Sequence, residues 1–168
     1  MKKQESEFER CLKNGKKGED IVLKYLIDNY NDYYFEYVGD DKKYQDIDID
    51  LLMKKDNEEI TIEIKTDYTD YNNFFCELIS CEFFNTPGCW KKTKSDYIFY
   101  YFVKKKKLYI LDTNQAKDIA FNGNWKEGRA SEYVNGFKKN SVGALVPIPE
   151  MVKLIDYKNY KFKKEVKI

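Results

Sequence analysis

Two alternating runs joined by a short polar turn constrain this chain most: Gln45-Asp46-Ile47-Asp48-Ile49-Asp50-Leu51-Leu52-Met53 and Ile60-Thr61-Ile62-Glu63-Ile64-Lys65. Side chains alternate faces along a strand. Ile47, Ile49, Leu51 and Met53 therefore share one face of the first run, and Asp46, Asp48 and Asp50 the other. In the second run Ile60, Ile62 and Ile64 point one way, and Thr61, Glu63 and Lys65 the other. Asp56-Asn57 suit the centre of the turn. That register sets Asp50 opposite Glu63, Asp48 opposite Lys65, and Ile49, Leu51 and Met53 against Ile64, Ile62 and Ile60. A slip of one residue would break the apolar and the charged matches together.

Directly opposed carboxylates destabilise a sheet, and a divalent cation between them reverses the sign. Mg²⁺ takes oxygen ligands, commonly one or two carboxylates with water and substrate phosphate. Lys65 shares the face of Glu63 and could steer a water or steady charge developing on phosphorus. The ordinary alternative is a half-solvated amphipathic strand, which also alternates Glu and Lys with isoleucine.

Asp50 followed by Glu63-Ile64-Lys65 on the next strand resembles the PD-(D/E)XK nuclease superfamily, whose core is that of type II restriction enzymes. The proline of the motif's name is absent. Members usually carry a helix before these strands with a glutamate facing the site; Gly15 to Leu26 matches, with Glu19 as its glutamate. Asn73 to Leu78, Gly88-Cys89-Trp90 through Lys94 to Tyr97, and Leu145 to Ile148 are similar to segments of small phage and prophage nuclease-like proteins. The resemblance spans roughly residues 10 to 150, and only Asp50, Glu63 and Lys65 are chemically specific in it. It implies an α/β fold: a restriction-endonuclease-like core with a central mixed β-sheet flanked by helices. It further implies Mg²⁺, with Mn²⁺ as a substitute, held by Asp50, Glu63 and the carbonyl of Ile64. Asp48 is the second candidate for the aspartate.

At 168 residues the chain is expected to form a single domain with a lysine-rich tail from about 151. Its 42% hydrophobic and 17% aromatic content indicates a folded protein. No apolar run approaches the ~18 residues that span a bilayer, and the first residues lack a signal-peptide core, so a cytoplasmic setting is expected. The four cysteines, Cys11, Cys76, Cys81 and Cys89, follow no zinc spacing and read as free thiols. The absence of histidine excludes histidine-dependent triads and zinc hydrolases, leaving carboxylates, Lys, Tyr and bound metal.

Net charge is only +1, but it is unevenly spread. Asp28 to Asp50 holds eight acids against Lys42 and Lys43, whereas Lys91 to Lys107 holds seven lysines against Asp96. An acidic centre with basic flanks suits a phosphodiester. Lys91, Lys92 and Lys94 are candidate phosphate contacts, and Trp90 a candidate for stacking on a base, with core packing as its ordinary alternative. Lys104 to Lys107 reads as a hairpin turn.

Along the chain a helix is expected from about Glu5 to Asn29, with a break near Asn14-Gly15 and a buried stripe of Ile21, Leu23, Tyr25 and Leu26. Strands are expected over Tyr33–Val38, the alternating pair, Ser95–Val103, Leu108–Leu111 and Val142–Ile148; Phe74–Phe84 is apolar and open between strand and helix, and the resemblance favours a strand. Asp112-Thr113 would cap a helix over Asn114–Phe121, and Phe121–Asn140 reads as loop. The resulting expectation is a metal-dependent deoxyribonuclease from a phage or mobile element. Asp50, Glu63, Lys65 and Glu19 would be its catalytic set. In-line attack needs no 2′-hydroxyl, so the chemistry does not by itself choose DNA over RNA, and a homodimer would suit double-strand cutting. The alternatives are an inactive nuclease-fold module that binds nucleic acid or a replication partner, and a structural phage protein whose acidic hairpin is a solvated face.

Overall fold

The computed structural model describes residues 7–134, 137–158 and 161–168. In chain order the elements begin with helix α1 (Glu7–Asn29), strand β1 (Tyr34–Tyr37), the short helix α2 (Lys42–Gln45), β2 (Leu51–Lys55) and β3 (Glu58–Asp67). Next come β4 (Asn73–Cys81), β5 (Thr86–Pro87), α3 (Cys89–Lys92), β6 (Tyr97–Phe102) and β7 (Lys107–Asp112). Helix α4 (Thr113–Asn122), β8 (Lys126–Val134), β9 (Phe137–Pro147), α5 (Ile148–Leu154) and β10 (Glu165–Lys167) complete it. The fold is α/β. One sheet runs β1-β2-β3-β6-β7-β10, a second β5-β4-β9-β8. β3 and β6 are parallel, and the other pairs are antiparallel. Parallel neighbours require a crossover, and here it carries β4, β5 and α3.

Two cores follow from strand alternation. Ile60, Ile62 and Ile64 join Leu51, Met53, Phe99, Tyr101, Leu108 and Ile110 under Val22 and Leu26 of α1. On the opposite face Ile98, Tyr100, Phe102, Tyr109 and Leu111 pack against Phe74, Trp90, Ala116, Val146 and Met151. β6 and β7 are thus buried on both faces, as their unbroken apolar runs suggest. The α1 stripe is Val22 and Leu26, four apart; Ile21 is exposed. The helix runs on through Gly15 without the expected break.

The β2–β3 hairpin has the expected register, Leu51 against Ile62 and Met53 against Ile60, with Asp56 in the left-handed region at φ 52°. The strand pattern read for Asp46 to Asp50 does not hold. Asp41 caps α2 through the Lys43 amide, and Asp48 turns at φ 44°. Val38, Ile49 and Leu52, with Tyr44 and Ile47, close a small third core. Alternating isoleucines there satisfy a turn folded on itself, so Asp48 does not face Lys65 across a ladder.

The loop expected over Phe121–Asn140 is also corrected. β8 and β9 form a long hairpin, with Lys126 paired to Leu145 and Val134 to Phe137. β9 lies between β4 and β8, so it is interior to its sheet. Its glycine sits where a neighbour comes close: a Cβ on Gly143 would stand 2.7 Å from the Cys76 carbonyl oxygen. The lysine-rich tail supplies α5 and β10, the latter pairing with β7.

Gly18 sets how α1 sits on the sheet, because a Cβ there would stand 1.9 Å from Thr66 Oγ1, whereas one on Gly15 meets nothing within 4 Å. Gly15→Ala is expected to stabilise the protein by roughly 0.5–1 kcal/mol through helix propensity. Gly18→Ala should instead destabilise it by about 1–3 kcal/mol from overpacking. Denaturant unfolding of the two variants checks the opposite signs.

Candidate active site

The site forms where β2 stops and β3 continues. Beyond Leu51 the ladder ends, so Glu63 to Asp67 overhang. Asp50 is held at this notch by its own backbone: its amide donates to the Ile62 carbonyl at 3.0 Å, and its carbonyl accepts from Val38 at 2.9 Å and Gly39 at 3.2 Å. Its carboxylate Oδ2 accepts the Ile64 amide at 2.8 Å. Asp50 therefore caps the exposed edge of β3 and stands next to Glu63.

Glu63 is 3% exposed, and its Oε1 pairs with Lys65 Nζ at 2.5 Å along the same strand face. Its Oε2 is buried with no hydrogen-bond partner among the described residues. Burial pushes the Glu63 carboxyl well above the ordinary carboxylate range; Lys65 pulls it back, and Asp50 and Asp48 push it further up. For Lys65 burial opposes the charge, but its acidic surroundings, Glu63 and Asp50 among them, outweigh it and hold the ammonium well above the ordinary lysine range. A buried carboxyl with an idle oxygen has unmet demand for a proton, a hydrogen-bond donor or a cation.

Glu19 comes from α1, on the other side of the notch. Tyr37 donates its hydroxyl to Glu19 Oε2 at 2.9 Å, and Lys16 Nζ lies 4.0 Å from the same oxygen and over the Tyr37 ring. Burial and then the charge of Asp50 raise the Glu19 carboxyl above its ordinary value, against the Tyr37 hydrogen bond and Lys16. Gly39 lets these groups crowd, since a Cβ there would stand 2.5 Å from the Tyr37 hydroxyl and 3.2 Å from Asp50 Oδ1.

The third side is built from the α3 region and the turn before β2. Asp48 pairs with Lys92 at 3.1 Å, and its carbonyl accepts from Thr93 Oγ1 at 2.8 Å. Thr93, Ser95 and Thr113 continue a buried hydroxyl chain at 2.9 and 3.1 Å. Cys89 begins α3, and burial raises its thiol to about 12, with Lys65 opposing and Glu77, Glu63 and Asp48 adding to the rise. At neutral pH it is a thiol, not a nucleophilic thiolate.

The structure thus brings Asp50, Glu63, Lys65 and Glu19 together, with Asp48 engaged by Lys92 at the margin. Lys91 and Lys94 are exposed on the surface near α3. Trp90 is corrected: at 1% exposure it fills the core and offers no face to a base. Its Pro-Gly-Cys-Trp start resembles a surface turn in sequence, but the ring points inward. Tyr37, Gly39 and Cys89 were not singled out from sequence, because none belongs to a spacing pattern that marks it.

Among the described residues no group of three or more His, Cys, Asp or Glu is arranged to hold a metal ion. The two carboxylates at the notch nonetheless fit a hard cation that keeps several waters, since one or two carboxylates suffice for Mg²⁺. The buried idle oxygen of Glu63 is the observation in favour.

Lys65→Met should leave Glu63 buried without its cation and destabilise the fold by about 3 kcal/mol at pH 8. A carboxyl raised in the fold binds its proton more tightly than in the unfolded chain. The loss should therefore be small while Glu63 is protonated in both folded proteins, and grow as pH rises through the raised folded value of the wild type, where only Lys65 lets the buried carboxyl ionise. Thermal melting at pH 5 and pH 8 checks this, and equal destabilisation at both would contradict it. No protein-family model, curated protein or solved structure matches the chain, so its activity must be argued from the chemistry of this site.

Proposed function

We propose that this protein is a Mg²⁺-dependent nuclease of the PD-(D/E)XK type that hydrolyses phosphodiester bonds in DNA. The observation that carries the reading is the buried Glu63 carboxylate, paired with Lys65 on one oxygen and idle on the other, beside Asp50. A mixed sheet with a parallel β3–β6 pair and α1 across its face supports a restriction-endonuclease-like core. No helix among the described residues is long and apolar enough to cross a membrane, which is compatible with a DNA substrate.

Asp50 and Glu63 would hold the metal, with the Ile64 carbonyl as a further ligand. When bound, Mg²⁺ polarises the phosphodiester and makes water a stronger nucleophile. Lys65 would orient the attacking water and balance charge developing on the phosphoryl oxygens. Glu19, steadied by Tyr37, would accept hydrogen bonds from water entering the notch. Burial around Glu63 strengthens each of these interactions relative to bulk water.

A second reading, an inactive nuclease-fold module that binds nucleic acid, is favoured by one observation: Lys65 already neutralises Glu63, as a metal would. The two readings separate in one experiment. Plasmid, linear duplex, single-stranded and branched DNA, with an RNA control, are incubated with Mg²⁺ or Mn²⁺ and wild type, Asp50→Asn or Glu63→Gln. Asn keeps an acceptor for the Ile64 amide, so the fold is retained. Cleavage by wild type, reduced about a hundredfold or more in each variant, supports the nuclease. Metal-independent DNA binding without products from any of the three supports the inactive module.

A further inference from the structure

The side of the notch opposite Glu19 holds more positive charge than its neighbours neutralise. Lys92, from α3, is tied to Asp48 at 3.1 Å and to the Gln45 carbonyl at 3.4 Å. Lys94 follows in the α3–β6 connection; its amide is fixed to the Ile47 carbonyl at 2.9 Å, and its ammonium makes no ion pair among the described residues. Lys117 comes from α4, far along the chain, and its ammonium donates to the Thr93 carbonyl, an uncharged partner. Lys92 thus pairs with Asp48, while the Lys117 ammonium rests on the peptide whose Lys94 amide is fixed to Ile47, which brings Lys94 and Lys117 to one peptide beside the Asp48 turn. Like charges gathered on a half-buried surface cost free energy, and an anion between them removes the cost.

We propose that Lys94 and Lys117 form a subsite for a second backbone phosphate of the nucleic acid, next to the phosphodiester at Lys65. Lys92 holds the Asp48 turn in place so that this turn does not consume the remaining charge. The inference rests on the nucleic-acid substrate proposed above and adds Lys117, which no charge run in the sequence marks. Burial lowers the Lys117 ammonium from its ordinary value, against Cys89 and Asp48, and Lys94 lowers it further. Because Cys89 is a neutral thiol near pH 7, Asp48 is the acid that offsets this crowding. The subsite adjoins the cleavage set through the Asp48 turn, which Lys92 and the Lys94 backbone hold and which leads two residues on into Asp50. A phosphate there would fix the strand's register against Glu63 without reading sequence.

The test is equilibrium binding of a short duplex DNA by the full chain in EDTA, where no cleavage occurs, across a salt series. Lys94→Gln, Lys117→Gln and Lys117→Arg are compared with wild type and with Lys104→Gln, whose lysine, on the β6–β7 turn, pairs with Asp70 of the β3–β4 connection. Lys94→Gln and Lys117→Gln should each make the slope of log affinity against log salt shallower by about 0.9, with weaker binding across sequences. Lys117→Arg should restore the wild-type slope, and Lys104→Gln should leave it unchanged. An unchanged slope in Lys117→Gln overturns the subsite, even if wild type cleaves DNA with Mg²⁺. A shallower slope in that variant supports the subsite even if wild type cleaves nothing, in which case only the nuclease reading fails.

Discussion

The Glu63–Lys65 pair is the interaction on which the rest of the site depends. Both side chains leave β3 on the same face, at the point where β2 no longer covers that strand. A carboxylate buried this deeply is tolerable only beside a cation, because desolvation alone disfavours its charged form. Lys65 supplies that cation in the protein as it stands, and it leaves one carboxylate oxygen idle. The stability of the notch and its capacity for chemistry therefore come from the same two residues.

Three pieces of backbone bring partners to this pair. Asp50 is fixed through both of its peptide groups before its side chain is considered, so its carboxylate has little freedom. α1 reaches the notch because Gly18 lets it settle against Thr66, which carries Glu19 to Tyr37 and within electrostatic reach of Asp50. The hydroxyl chain Thr93–Ser95–Thr113 joins α3, β6 and α4 behind Asp48 and holds the lysine side of the notch together. Similarly, Tyr100 donates to Asp67 at 3.0 Å and accepts from the Phe75 amide at 3.3 Å, tying the end of β3 to the start of the second sheet.

Much of this was legible from local pattern. Leu51 against Ile62 and Met53 against Ile60 follow from alternation and the Asp56-Asn57 turn, and the β6–β7 hairpin follows from its apolar runs and lysine turn. Asp112 caps α4 as expected, accepting from the Gln115 amide at 2.9 Å. Alternation failed at Ile47 and Ile49, where the same spacing serves a capped turn with its own small core. It was also silent over 126–140, where polar, glycine-containing strands are held by their neighbours across the ladder rather than by an apolar stripe. Trp90 shows the limit of reading side chains from context: a ring flanked by lysines still lies in the core when its helix turns inward.

The sequence by itself determined the residues whose relation is short-range: the hairpin register that leaves Asp50 beside Glu63, the shared face of Glu63 and Lys65, and the cap of α4. Those relations depend on strand period and turn length, which are local properties. Only the tertiary structure decided that Glu19 stands near Asp50 and that Lys117 joins Lys92 and Lys94. It also decided that Asp48 turns aside to Lys92. Those relations depend on where α1 rests on β3 and where α4 folds back toward α3, and packing between distant segments sets both.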